Sequence, residues 1–247
     1  GIFAAHTRSG TNAWHGRIRL DYINSEWRDD WDDDTDGDTF ADNYDYLHPM
    51  VTIEGPILRD TLWFLAAYSY YTYDQPKKTS AYYDAAWYNG VFSHFDETRT
   101  YHQPFVKLTW HPLDSHRIRL EYFSEKLCHE NASGDIPYAT PETFLDEETR
   151  FEFMKLDWQW QITSDLLMYI AAGRVLKEWD TLPEKQSDDP RDAPFHDSWF
   201  GGSYNNGSIW SEDDRERRRL SADLEWMAGE WFGLHRVKGG LEIQQHQ

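Results

Sequence analysis

The chain has 247 residues, 39% of them hydrophobic and 17% aromatic, with 24 Lys and Arg against 44 Asp and Glu for a net charge of −20. That acidity argues against nucleic acid as a partner, because phosphate binding needs a basic surface. Mean hydropathy is −0.82, and no window approaches the roughly 18–20 apolar residues of a membrane-spanning helix.

The longest apolar-looking run, residues 62–73, is broken by Ser69 and Thr72. A helical membrane protein is therefore excluded. A membrane barrel is not, because its strands alternate lipid-facing and lumen-facing residues and give a weak hydropathy signal. The aromatic content suits a barrel with interfacial girdles and equally a Trp-rich soluble β-sandwich. The single Cys128 has no partner for a disulfide within the chain. The chain opens Gly1-Ile2-Phe3 without Met or a signal peptide and stops at Gln247 inside an alternating pattern, so the expectation is a fragment of a longer protein.

The first element is Arg17-Ile18-Arg19-Leu20-Asp21-Tyr22. Ile18, Leu20 and Tyr22 fall on one face and the charges on the other, which is the period of a strand and not of a helix. Residues 47–56 set Val51 and Ile53 against Thr52 and Glu54, and residues 61–73 carry aromatics on both faces. Residues 98–110 set Val106, Leu108 and Trp110 against Lys107 and Thr109. The opening hexad then returns almost unchanged as Arg117-Ile118-Arg119-Leu120-Glu121-Tyr122. Residues 149–162 set Met154, Leu156, Trp158 and Trp160 against Lys155, Asp157, Gln159 and Gln161, and residues 166–179 are apolar early and charged late. Residues 218–227 and 235–245 close the series with Leu220, Leu224, Trp226, Val237, Leu241 and Ile243 on the apolar face.

These nine strands of roughly 10–14 residues exceed the soluble average of about 5–6 and suit a tilted membrane strand of about 9–11. Their connections alternate. Residues 56–60, 112–115, 163–165 and 228–234 are short links, whereas 28–46, 74–97, 128–148 and 180–217 are long. Outer-membrane barrels have short periplasmic turns and long extracellular loops. The fold class expected is therefore all-β, an antiparallel up-and-down transmembrane β-barrel, with the polar face lining a wet lumen. Bacterial single-chain barrels use even strand numbers, so nine strands imply a larger closed barrel. The location implied is the outer membrane of a Gram-negative bacterium, with its lipid and lipopolysaccharide as partners.

Two motifs add a family resemblance. His6-Thr7-Arg8-Ser9-Gly10-Thr11-Asn12-Ala13-Trp14-His15-Gly16 resembles the plug-to-barrel junction of TonB-dependent outer-membrane receptors. Gly55-Pro56-Ile57-Leu58-Arg59-Asp60-Thr61-Leu62-Trp63-Phe64 is similar to their first periplasmic turn. The subgroup most resembled carries a carboxypeptidase-regulatory-like domain before the plug. The resemblance covers about 25 residues in detail and implies a 22-stranded barrel closed by an N-terminal plug. It makes residues 1–12 the end of a plug domain and 13–247 a partial transmembrane barrel. The implied function is import of a scarce solute (siderophore, vitamin, glycan or peptide) driven by the TonB complex through a segment preceding this chain. A non-transporting structural or adhesive barrel and a soluble aromatic-rich binding module are the alternatives.

Site expectations follow. Arg17, Arg19, Asp21, Arg117, Arg119 and Glu121 should face the lumen, the arginines near the periplasmic end, either holding a plug and guiding an anionic solute or simply salt-bridging such carboxylates as Asp21 and Glu121; salt-bridging is favoured. Tyr82, Tyr83, Trp87 and Tyr88 form an aromatic loop that either stacks on a ligand or packs on other loops. Residues 199–207 carry the same ambiguity. In the acidic first loop, Asp32, Asp34, Asp36 and Asp38 with Gly37 begin like a calcium-binding loop. Position 12 of that loop is Asn43 rather than Glu, so a solvated acidic loop is the plainer reading. No other cofactor is indicated. No His-Glu-x-x-His run, nucleophile elbow or phosphate-cradling Gly-rich loop occurs, so no enzyme is expected.

Overall fold

The computed structural model describes residues 9–27, 44–77, 95–132, 143–183, 189–197, 202–207, 209–230 and 234–247. The strands are β1 (His15–Ile23), β2 (Asp45–Leu58), β3 (Leu62–Lys77), β4 (Phe95–Leu113), β5 (His116–Glu130), β6 (Leu145–Gln161), β7 (Leu166–Pro183), β8 (Phe195–Asp197), β9 (Gly202–Tyr204), β10 (Ser211–Glu230) and β11 (Leu234–His246). Nine of them form one antiparallel meander in the order β1-β2-β3-β4-β5-β6-β7-β10-β11, while β8 and β9 make a separate small hairpin.

Short turns join the strands at one end of the sheet. Asp60 supports the β2–β3 turn in the left-handed conformation, φ 61°, which a short polar side chain tolerates better than a branched one. Thr61 N–H closes that turn on the Leu58 carbonyl at 3.3 Å. At the β6–β7 turn, Ile162 N–H donates to the Leu166 carbonyl at 2.9 Å.

At the opposite end the strands run further than the alternation of the sequence suggests. β10 has 20 residues and begins at Ser211 rather than near 218, and β4 has 19. A strand of 20 residues is about 65 Å long. Tilted by about 45°, it stands well above an apolar band of about 25 Å. Along residues 211–217 of β10 both faces are polar, so hydrophobic alternation stops there although pairing continues. This is why the start of β10 was not legible.

The burial pattern is inverted relative to a soluble sandwich. Ile18 is 83% exposed, Leu241 81% and Ile243 69%, while Glu54, Lys107 and Thr109 are each 3% exposed. Among the described residues, Leu65, Phe144 and Leu145 are the buried hydrophobics. Polar side chains thus crowd one face and apolar side chains stand out from the other. Such an arrangement is stable only if the apolar face meets lipid rather than water.

Register makes the outer face continuous. Phe64, Leu108, Leu120, Leu156, Ala172, Leu220 and Ile243 are successive cross-strand partners over seven strands. The next row, Leu62, Trp110, Ile118, Trp158, Ile170, Ala222 and Leu241, runs beside it toward the short turns. At that end the stacked rings of Trp158 and Trp160, 5.9 Å apart, with His116 beside them, mark an aromatic edge.

Candidate functional site

The inner face has three tiers. Nearest the short turns it is charged and tightly paired. Lys107 Nζ lies 3.0 Å from Glu121 Oε1, and Arg119 lies 3.5 Å from Asp157, which Lys155 also contacts at 3.0 Å. These residues fall on one face because they alternate with Val106, Leu108, Leu120 and Leu156, which the lipid-facing side requires.

The middle tier is apolar, contrary to the expectation of a uniformly polar lumen. Ala67, Phe105, Phe123, Phe153 and Val175 form one cross-strand row. Phe123 also meets Phe151 at 6.1 Å between ring centroids. Aromatic pairs of this kind recover part of the cost of facing a wet space. Strand parity alone carried the expectation, and it assigns a face without assigning its chemistry.

Toward the long connections the inner face becomes aromatic and hydrogen-bonding. Tyr71 and Tyr101 stack with ring centroids 4.5 Å apart and planes 10° apart. Tyr46 and His48 flank Tyr71 at 5.3 and 5.8 Å. The Tyr46 hydroxyl is 2.7 Å from His48 Nδ1, and His48 Nε2 is 2.7 Å from Ser69 Oγ. Beside them Gln103 donates to Glu125 at 2.6 Å. One step higher, His129 lies 2.7 Å from Glu97 and 3.4 Å from Glu147, and Arg99 pairs with Glu97. A wall of ring faces edged by hydroxyl, amide and carboxylate groups suits a solute with both ring faces and polar edges.

A third feature is a junction at the short-turn end. Residues 9–12 lie along the inner face of β3 and β4. Asn12 Oδ1 accepts from Asp60 N–H at 2.9 Å and from the Trp63 indole N–H at 2.8 Å, and its Nδ2 donates to Asp60 Oδ1 at 2.5 Å. Gly10 passes so close that a Cβ would stand 2.4 Å from the Phe64 carbonyl oxygen. Two residues beyond Asn12 the chain has crossed the sheet. Trp14 packs outside against Gly55, where a Cβ would meet the indole at 2.8 Å, and edge-on to Phe64 at 5.4 Å. The two sequence motifs, some forty residues apart, are therefore a single contact.

The anticipated lumen residues share the inner face but do not form one cluster. Arg19 pairs with Asp21 at 2.9 Å. Glu121 pairs with Lys107 and Arg119 with Asp157, on neighbouring strands rather than with each other. Arg117 borders the groove holding Ser9, Gly10, Thr11 and Asn12. Arg17 sits across from Thr52, in the row that leads to Phe105, and Arg19 across from Met50, in the row that leads to Gln103, so both lie higher than the turn-end tier assigned to them. Asp32, Asp34, Asp36, Asp38, Tyr82, Tyr83, Trp87 and Tyr88 lie outside the described residues, as does part of 199–207. Within the last of these, Asn205 and Asn206 donate to the carbonyls of Arg191, Ala193 and Asp192, tying that connection together. In the same connection the Arg191 side chain, seconded by its backbone N–H, holds the Asp189 carboxyl below its usual range.

Sequence reasoning missed Tyr46, His48, Tyr71 and Tyr101. Their signal lies in residues 68–73, where tyrosines occupy both parities. The register shows which set faces inward, because Tyr71 and Tyr101 share the parity of buried Leu65 and Lys107.

No family model matches the chain, and no curated protein matches it. Among solved structures it is similar to the outer membrane transporter YddB from Escherichia coli, with a TM-score of 0.58 at 12% identity. The likeness covers 80% of this chain and 25% of that one. The chain thus spans about a quarter of the neighbour's length. Sheet, register and inverted burial define the class: this is the fold of an outer-membrane β-barrel wall, the fold that the transporter shares.

Proposed function

We propose that the chain is part of the barrel of a TonB-dependent outer-membrane receptor that imports a solute, with residues 1–12 the end of a plug domain and residues 13–247 barrel wall. The observation that carries this reading is the junction at Asn12. Residues 9–12 are held inside the sheet, and Trp14 is outside it. A chain that reaches its first strand from the lumen side suits a preceding domain that fills the lumen. A simple pore or an adhesive barrel has no need of such a clasp.

In this reading the short turns face the periplasm and the long connections face the exterior. Solute arrives at the aromatic tier of Tyr46, Tyr71 and Tyr101, and the paired charges of the lower tier meet the plug. The TonB complex would act on a segment preceding this chain. Calcium at Asp32, Asp34, Asp36 and Asp38 is a lesser element of the proposal. Calorimetric titration of a peptide spanning that loop tests it, and absence of heat removes it.

The main test is electrical. The full-length receptor, purified in detergent and inserted into planar bilayers, is expected to stay closed until concentrated urea displaces the lumen domain. Steady conductance without urea would overturn the reading.

A further inference from the structure

Where the apolar band ends toward the exterior, the outer face carries a charged patch confined to β5, β6, β7 and β10. Arg174 and Arg218 are direct cross-strand partners. They stand in the row immediately beyond Leu156, Ala172 and Leu220. Two rows higher, about 13 Å along the strands, Lys126 and Arg150 are direct partners as well.

Like charges directly opposite one another destabilise a sheet, so two such pairs in one patch call for a reason. Carboxylates offset them unevenly, with one between the lower two cations and three around the upper two. Glu216 bridges both Arg174 and Arg218, leaving a local excess of one positive charge in that trio. Higher up, Lys126 pairs with Glu148 at 3.3 Å, and Arg150 with Glu152 at 2.5 Å and Glu178 at 3.7 Å. All four cations remain accessible, with side chains between 44% and 60% exposed.

The same cross-strand rows on the other half of the sheet are different. There the outer face presents Tyr68, Tyr70, Thr72, Thr98, Thr100 and His102, with the Tyr68 hydroxyl bonded to His102 at 2.7 Å. The patch is therefore local and not a general feature of the rim.

We infer that Arg174 and Arg218 clamp a phosphate of a phosphorylated glycolipid of the outer leaflet, with Arg150 and Lys126 contacting its headgroup above. Guanidinium pairs match phosphate oxygens bidentately. Acyl chains of the same molecule lie on Met154, Leu156 and Leu220 below, which the register places beside the clamp. The acidic side chains among the cations restrict the site to phosphates at defined positions, since a polyanion without that spacing meets Glu216 and Glu178. This inference rests on the barrel standing in the outer membrane and is independent of import.

The test uses the full-length receptor in mild detergent and native mass spectrometry. The probes are bisphosphorylated lipid A, the same lipid with both phosphates removed, and phosphatidylglycerol. The bisphosphorylated form is expected to bind about tenfold more tightly than either other lipid. Arg174→Gln combined with Arg218→Gln should abolish that preference, while Arg191→Gln in a connection should leave it intact. Heat-modifiable migration reports whether each variant is folded. Should the double variant not fold, Arg218→Gln alone, at a side chain 60% exposed, is expected to weaken the preference, and a folded single variant with the full preference overturns the inference. Equal binding of phosphorylated and dephosphorylated lipid overturns the inference. So does phosphatidylglycerol bound as tightly as lipid A, or a folded double variant that keeps the preference.

Discussion

The outer and inner faces are made by the same strands, yet their rows follow opposite rules. Along the outer row from Phe64 to Ile243 each residue meets one of its own kind. Along an inner row, Glu54, Leu65, Lys107, Glu121, Lys155, Gly173 and Arg219 succeed one another. From Lys107 onward acid meets base or a small residue gives room. Lipid imposes one requirement on every outer position, so neighbours need not know each other. The lumen imposes no such uniform requirement, and in the charged tier each inner side chain is matched to particular partners.

The comparison breaks most readily on the outer face. Leu156→Arg places a charge in the middle of the apolar row, between Leu120 and Ala172. It should cost about 2–4 kcal/mol, measured by urea unfolding in lipid vesicles. An unchanged midpoint would mean that this row does not face lipid. On the inner face the largest effect is expected at Lys107. Removing it as Lys107→Met leaves Glu121 without its 3.0 Å ammonium partner, at a cost of roughly 1–3 kcal/mol. Adding Glu121→Gln should restore more than half of that loss. If the two losses simply add, the inner face is not built of matched pairs.

The junction is expected to be weaker again. Asn12→Ala deletes three hydrogen bonds to Asp60 and Trp63, at least two of which water can replace at the barrel mouth. A loss of about 1 kcal/mol is expected, together with earlier opening in urea in the bilayer assay. A variant that opens at the wild-type urea concentration would remove the clasp from any role in holding the lumen closed.

How much of this was legible in the sequence follows from the same contrast. The outer face repeats one message at every second residue, so the strands, their order and the side of Leu120 or Leu156 could be read from alternation alone. The inner face was legible only as parity. That Glu121 chooses Lys107 rather than Arg119 depends on register, which pairs Lys107 with Glu121 and Thr109 with Arg119 across β4 and β5. A sequence does not print register between strands. The aromatic tier failed for a related reason. Where tyrosines occupy both faces of β3, parity carries no contrast, and Tyr71 became visible as an inner residue only through the register.

The smallest expected effect bears on the pair that alternation predicted best. Arg19 and Asp21 both lie on β1, two residues apart, with side chains 53% and 34% exposed and a 2.9 Å contact. Water competes for both groups, and holding the long arginine in place costs rotamer freedom, so such pairs add little to stability. Arg19→Gln should therefore leave the urea midpoint within experimental error, in contrast to Lys107→Met on the same face. A clear loss at Arg19 would show that its pair is buried under something the lumen holds. Repeating the measurement after urea has displaced the lumen domain would then locate that cover, because only a cover supplied by that domain would make the loss disappear.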